Sequence, residues 1–200
     1  MRTFRIVLWT LVVVAAIGAT GLFAYSISQK SKGENTLLGG PGGGQFALVD
    51  QRGNPADNSV FLGKPSLLFF GYTHCPDACP TTMAETKVAF AELGEKAADV
   101  QVIMISIDPE RDTPEALAAY VQQFDPRFLG GTATLDEVTA LASAYGVFFE
   151  KHEGSVATGY LIDHSAQMLV VDRQGYTRMI FPYGLRGEDM ATDLRYLLSL

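Results

Sequence analysis

Two short apolar runs, "SLLFFGY" (residues 66–72) and "VQVIMISI" (residues 100–107), constrain the fold more than any other feature. Each is too short for a typical helix, so each reads as a strand buried on both faces. Strands covered on both sides belong to parallel sheets, and parallel neighbours need a crossover, usually a helix. The segment between the runs supplies one. Pro80 predicts the first position of a helix, where its missing N–H costs nothing, and that helix runs to about Leu93.

The flanking elements follow from local signals. Residues 46–49 read as a short strand and "DQRGN" (50–54) as its turn. Thr113 and Pro114 form an N-cap and first helical residue, followed by Leu117, Tyr120, Val121 and Phe124 on one face. Thr134 and Glu137 form a T-x-x-E capping box ahead of Leu135, Val138, Leu141, Ala142 and Tyr145, with Gly146 as the stop. Residues 168–171, the turn "DRQG" and residues 176–180 predict a β-hairpin. A closing helix carries Met190, Leu194, Leu197 and Leu198 on its core face. A βαβ unit followed by ββα is the layout of an α/β, thioredoxin-like (peroxiredoxin-like) sandwich.

Ahead of this domain lies a membrane signal. Residues 6–27 are an uncharged 22-residue run, long enough to cross ~30 Å of hydrocarbon as a helix. Arg2 and Arg5 precede it and favour a cytoplasmic N-terminus. Its length favours an uncleaved N-terminal transmembrane helix over a signal peptide with a weak processing site at "ATG" (19–21). Residues 1–29 therefore read as an anchor, 30–45 as a tether containing the Gly-rich stretch "LGGPGGGQ", and 46–200 as the folded domain. The net charge of −7 argues against a nucleic-acid partner.

The chemistry concentrates at "GYTHCPDACPTT" (71–82), which holds the only two cysteines, Cys75 and Cys79. Pro76 and Pro80 disfavour helix at the residues before them, which puts Cys75 on a loop and Cys79 at a helix N-cap. Backbone N–H groups and the helix dipole there favour a thiolate. Three readings compete. A structural disulfide closing so small a loop stabilises inefficiently. A redox pair is possible chemically, although C-x-x-x-C departs from the usual C-x-x-C. A metal site needs a further ligand, and only His74, His152 and His164 are available as imidazoles.

His74 points away from Cys75 along an extended chain, and His152 sits in the charged stretch "EKHEGS". His164, in "YLIDHSAQMLVVD" (160–172), enters the hairpin strand, which in a thioredoxin-like layout faces the cysteine loop. Cys75, Cys79 and His164 would form a soft, low-coordinate set suited to Cu(I), and to Cu(II) with one more donor. Met83, Met104, Met168 and Met179 fall in apolar segments where core packing is expected. Asp77 and Asp163 could adjust such a site through hydrogen bonds to its ligands.

Together, "FFGYTHCPDACPTT" (69–82), "SIDPERDTP" (106–114), "DHSA" (163–166) and the "GGP" entry (39–41) resemble the SCO/SenC family of copper chaperones. The resemblance covers about residues 38–200 and departs only in extra length at "GGGQ" (42–45). It implies copper held by Cys75, Cys79 and His164 in a thioredoxin-like domain. It implies a single-pass inner-membrane protein whose domain faces the periplasm, or the intermembrane space in mitochondria. The implied role is cytochrome c oxidase assembly, by copper delivery to the CuA centre of subunit II or reduction of its cysteines. Such a chaperone needs a copper donor protein and a thiol reductant. The competing class is a thiol–disulfide oxidoreductase using Cys75 and Cys79 with no obligatory metal, and a peroxidase is a weaker third. In "DPERDTP", Asp108 and Arg111 read as loop hydrogen-bonders and Thr113 as a helix cap.

Overall fold

The structure, a computed structural model, describes residues 47–57, 59, 63–154 and 159–199 together with Trp9 and Gly42. The expected anchor and tether lie outside the described residues but for those two positions. Among the described residues no helix is long and apolar enough to cross a membrane. The chain divides into two compact units, Met1–Asn35 and Thr36–Leu200, and every element below belongs to the second.

Among its described residues are nine strands and four α-helices, in the order β1 (Ala47–Asp50), β2 (Pro55–Asp57), β3 (Ser66–Gly71), α1 (Ala78–Leu93), β4 (Gln101–Ser106), α2 (Pro114–Gln122), β5 (Leu129–Thr132), α3 (Leu135–Ala144), β6 (Phe149–Glu153), β7 (Tyr160–His164), β8 (Met168–Val171), β9 (Thr177–Phe181) and α4 (Gly187–Leu197). A 3₁₀ turn, Gly94–Asp99, links α1 to β4. Seven strands form one sheet in the order β2-β1-β5-β4-β3-β8-β9, while β6 and β7 form a separate two-stranded hairpin. β3, β4 and β5 run parallel, and β8 returns antiparallel to β3. This mixed α/β sandwich has the thioredoxin-like fold anticipated from the two apolar runs.

Those runs are the centre of this unit's sheet. All six residues of β3 are buried, as are five of the six in β4. Burial on both faces is the signature of an interior parallel pair. The helices close the layers. Thr113 caps α2 by accepting from the Ala116 N–H, with Pro114 inside the first turn. Thr134 and Glu137 form the complete capping box on α3. Leu117 and Val121 are buried beneath α2, and Val138, Leu141, Ala142 and Tyr145 beneath α3. Leu135 instead stays half exposed at the start of α3, where the helix face has not yet turned inward. α4 lies against α1 closely enough that a Cβ on Gly187 would overlap the Glu85 carbonyl and the Val88 side chain.

Three elements depart from the sequence reading. β2 pairs with β1 at the sheet edge, β5 joins β4, and the β6–β7 hairpin stands outside the main sheet. The start of α1 also differs. Asp77 is the N-cap, so Cys79 is the second helical residue rather than the cap and Pro80 the third. The first-turn N–H groups have no intrahelical acceptor, so Pro80 is tolerated as well there as at the first position.

Candidate metal centre

Cys75 sits in the turn between β3 and α1, with its N–H donated to the Tyr72 carbonyl at 3.2 Å. It is half-buried, whereas Cys79, one residue into the helix, is fully buried. The geometry joins them through one sulfur: the Cys79 N–H, an orphan donor of the first helical turn, points at Cys75 Sγ from 3.3 Å. Both thiols are free, with no disulfide between them.

His164 closes the trio. It ends β7, and its Nε2 lies 3.3 Å from Cys79 Sγ. The ligand atoms of Cys75, Cys79 and His164 all fall within 4.8 Å of one another. Nδ1 faces the Ser165 carbonyl at 3.2 Å. A carbonyl only accepts, so Nδ1 carries the proton in that contact and the Nε2 lone pair faces the sulfurs. The imidazole stands edge-on between the buried rings of Phe69 and Tyr72, each centroid 6.0 Å away.

The two thiols are electrostatically unequal. The Cys75 thiol is held well below the ordinary range, chiefly because the Cys79 S–H donates to its sulfur, with burial opposing and the backbone N–H groups of Cys79 and Asp77 assisting. The Cys79 thiol is pushed well up, first by that same hydrogen bond to Cys75, then by burial and by the Cys75 charge. Cys75 is thus the thiolate and Cys79 the proton carrier. That single proton is all that separates the trio from two thiolates and an imidazole lone pair converging on one point.

The fold makes room for this arrangement at Gly71. A Cβ there would approach Cys79 Sγ to 2.9 Å and Phe69 Cε1 to 2.7 Å. Beneath the cysteine turn, the buried Asp112 carboxylate accepts from the Thr73 N–H at 3.0 Å, the Thr73 hydroxyl at 2.6 Å and the Ser106 hydroxyl at 2.7 Å. Thr73 lies two residues before Cys75, so this buried carboxylate braces the turn.

The remaining candidates are elsewhere. His74 is exposed and sits 3.8 Å from Asp112. With Asp108 and Asp112 it makes a second group of close donor atoms, but both carboxylates already accept several hydrogen bonds. His152 is half exposed beside Asp163 at 3.3 Å. Asp163 is 81% exposed on its side chain and pairs across the hairpin with Glu150, so it does not touch the trio as the sequence reading allowed. Alternation along β7 turns its side chain away from the face that carries Ile162 and His164's neighbours. Met83, Met104, Met168 and Met179 are buried core residues as expected. Sequence reasoning missed the buried role of Asp112 and the contacts of Tyr160; the only signal for the first was its place in "SIDPERDTP".

The SCO1/SenC family profile matches residues 35–199. "Protein sco1" of Schizosaccharomyces pombe is 33% identical over 198 residues, covering 93% of this chain and 75% of that protein. "Protein SCO1 homolog, mitochondrial" of Homo sapiens is 32% identical over 198 residues, covering 92% of this chain but 64% of the human protein, so the chain spans less than two thirds of that relative. The structure of Bradyrhizobium japonicum ScoI with copper bound superposes with a TM-score of 0.70 at 37% identity, covering 76% of this chain and 97% of that one. On the extent of these matches, the chain belongs to the SCO1/SenC family.

Proposed function

We propose that this protein is a copper-binding metallochaperone for cytochrome c oxidase assembly, which takes up Cu(I) on Cys75, Cys79 and His164 and passes it on by ligand exchange. One observation carries the reading: two sulfurs and an imidazole nitrogen from distant segments converge within 4.8 Å. Such a soft, low-number donor set fits Cu(I), which accepts few ligands, and leaves a structural Zn²⁺ one short. The copper-bound structure of the Bradyrhizobium relative supports the same cargo. Cys75 is the less buried of the two cysteines and gives an incoming thiolate a place to attack, so the ion can move one ligand at a time. The family resemblance supports the CuA centre of cytochrome c oxidase subunit II as recipient, with a copper donor protein upstream. Residues 1–29 would tether the domain of 46–200 to the inner membrane through the 30–45 segment, with the domain in the periplasm.

Anaerobic titration of the reduced full chain with Cu(I), against a competing chelator, tests the reading. One ion per chain is expected, with affinity falling at least about tenfold in Cys75→Ser, Cys79→Ser and His164→Ala, the scale of losing a ligand or its orienting partner. Unchanged affinity in all three variants refutes it.

A second activity is favoured by the thiol asymmetry. A Cys75 thiolate can attack a disulfide, forming a mixed disulfide and releasing one thiolate. Cys79, after giving up its proton, then attacks Cys75 Sγ and releases the second thiolate. The substrate gains two electrons, the Cys75–Cys79 pair loses them, and a thiol reductant must restore it. His164→Ala separates the readings, since dithiol exchange would survive that change and copper binding would not.

A further inference from the structure

His164 is the one member of the trio that lies neither on α1 nor on the turn leading into it. It belongs to the β6–β7 hairpin, a two-stranded unit outside that sheet. An isolated hairpin is marginally stable in water, so its docking must be supplied by contacts with the body. Packing supplies part, through buried Ile162 and half-buried Phe149 and Tyr160. Beside these contacts a partly open pocket of about 240 Å³ is lined by Ile107, Leu135, Phe149 and Ile162 and by the charged Asp108, Glu110, Glu150 and Lys151, so polar groups share the hairpin's seat.

The polar ties concentrate on one loop. The Tyr160 hydroxyl donates to buried Asp108 at 2.5 Å and approaches Glu110 at 3.3 Å. Arg111 donates from Nη1 to the Tyr160 carbonyl at 3.2 Å and lies 3.6 Å over the Tyr160 ring, while its Nε pairs with Asp108 at 2.5 Å. Lys151 of β6 pairs with Glu110 at 2.8 Å and lies 3.7 Å from the same ring. A further tie comes from the Ile162 N–H to the Tyr72 hydroxyl at 3.2 Å. Four residues on from Asp108, Asp112 grips Thr73 and so the cysteine turn. The segment from Ser106 to Asp112 therefore holds both halves of the trio, thiols at one end and imidazole at the other.

We propose that Asp108, Arg111 and Tyr160 are positioning residues, a latch that docks the β6–β7 hairpin and sets how tightly His164 engages the metal; this rests on the copper reading above. The latch acts on Cu(I) only through His164. The exposed Lys151–Glu110 pair contributes little, as surface ion pairs do.

Two measurements on the reduced full chain test this. Amide hydrogen exchange without metal compares the parent with Tyr160→Phe, Arg111→Lys and Lys151→Met. Tyr160→Phe removes one hydrogen bond to a charged acceptor and keeps the ring. Exchange at Ile162 and His164 should rise about tenfold in it, with Ile103 and Met104 unchanged and Lys151→Met inert. The latch reading places about a fifth of the parent's hairpins undocked, so a tenfold rise in opening should weaken Cu(I) binding about threefold in Tyr160→Phe and Arg111→Lys, as the docked fraction falls. Neither should matter in a His164→Ala background. Unchanged hairpin exchange overturns the latch, as does equal weakening in both backgrounds or no weakening in either. If the parent binds no Cu(I), the copper reading fails, and the exchange result alone decides the latch.

Discussion

Raising the pH tests the unequal thiols directly. Binding Cu(I) on two sulfurs displaces whatever protons they carry, so affinity grows with pH by one power of ten for each proton lost. Two ordinary thiols titrating near 8.5 would strengthen binding by about fiftyfold between pH 7.2 and 8.2. Here Cys75 is already a thiolate, held down by the Cys79 S–H, and contributes no proton across that range. Cys79 is pushed up by its hydrogen bond to Cys75, by burial and by the Cys75 charge, and keeps its proton throughout. The expected gain is therefore about tenfold, with one proton released per ion. The sign follows from Cys79: higher pH removes the competitor, so binding tightens. Chelator competition at several pH values, with proton release measured in weak buffer, reads both quantities. A fiftyfold gain with two protons released would refute the assignment of thiolate to Cys75 and thiol to Cys79.

The remaining predictions concern packing and reactivity. Gly71→Ala places a methyl group against Cys79 Sγ and Phe69, so it should destabilise the fold by about 1–3 kcal/mol, read as a lower urea midpoint, and weaken Cu(I) binding; an unchanged midpoint would contradict the close approach. Gly187→Ala drives a Cβ into the α1 backbone at Glu85 and should cost at least as much as Gly71→Ala on the same assay. Alkylation of metal-free protein should modify Cys75 first, at a rate nearly constant between pH 6 and 8, because its thiolate fraction is already complete. Thr134→Ala removes the capping box on α3 and should cost about 1 kcal/mol without altering copper affinity.

How much of this was legible in the sequence varies with the physics that fixes each part. β3 and β4 announce themselves because burial on both faces demands unbroken apolar runs, and α2 and α3 because their capping residues act within a few positions. β5 was invisible. Its sequence "LGGT" has little strand propensity, and Gly130 is there because a Cβ would meet Leu117 of α2 at 3.1 Å. The β6 strand "FEKHE" is charged and mostly exposed, so no alternation marks it. Its order comes from β7 and from the loop that holds Tyr160, contacts that span some fifty residues of chain. The meeting of His164 with the cysteines was anticipated through the fold-level layout and the family resemblance, with no local signal to mark it. The helix register at Cys79 was not, because Pro80 satisfies the first or the third helical position equally well. Asp112 reads as a loop carboxylate, and only the folded chain turns three donors toward it.

The central claim is that one Cu(I) ion binds two sulfurs and one imidazole nitrogen. X-ray absorption at the copper edge on the reduced, Cu(I)-loaded full chain measures that donor set. The account predicts two sulfur scatterers and one nitrogen with imidazole outer-shell features, the nitrogen signal vanishing in His164→Ala. A spectrum with sulfur donors alone, unchanged by His164→Ala, would contradict it.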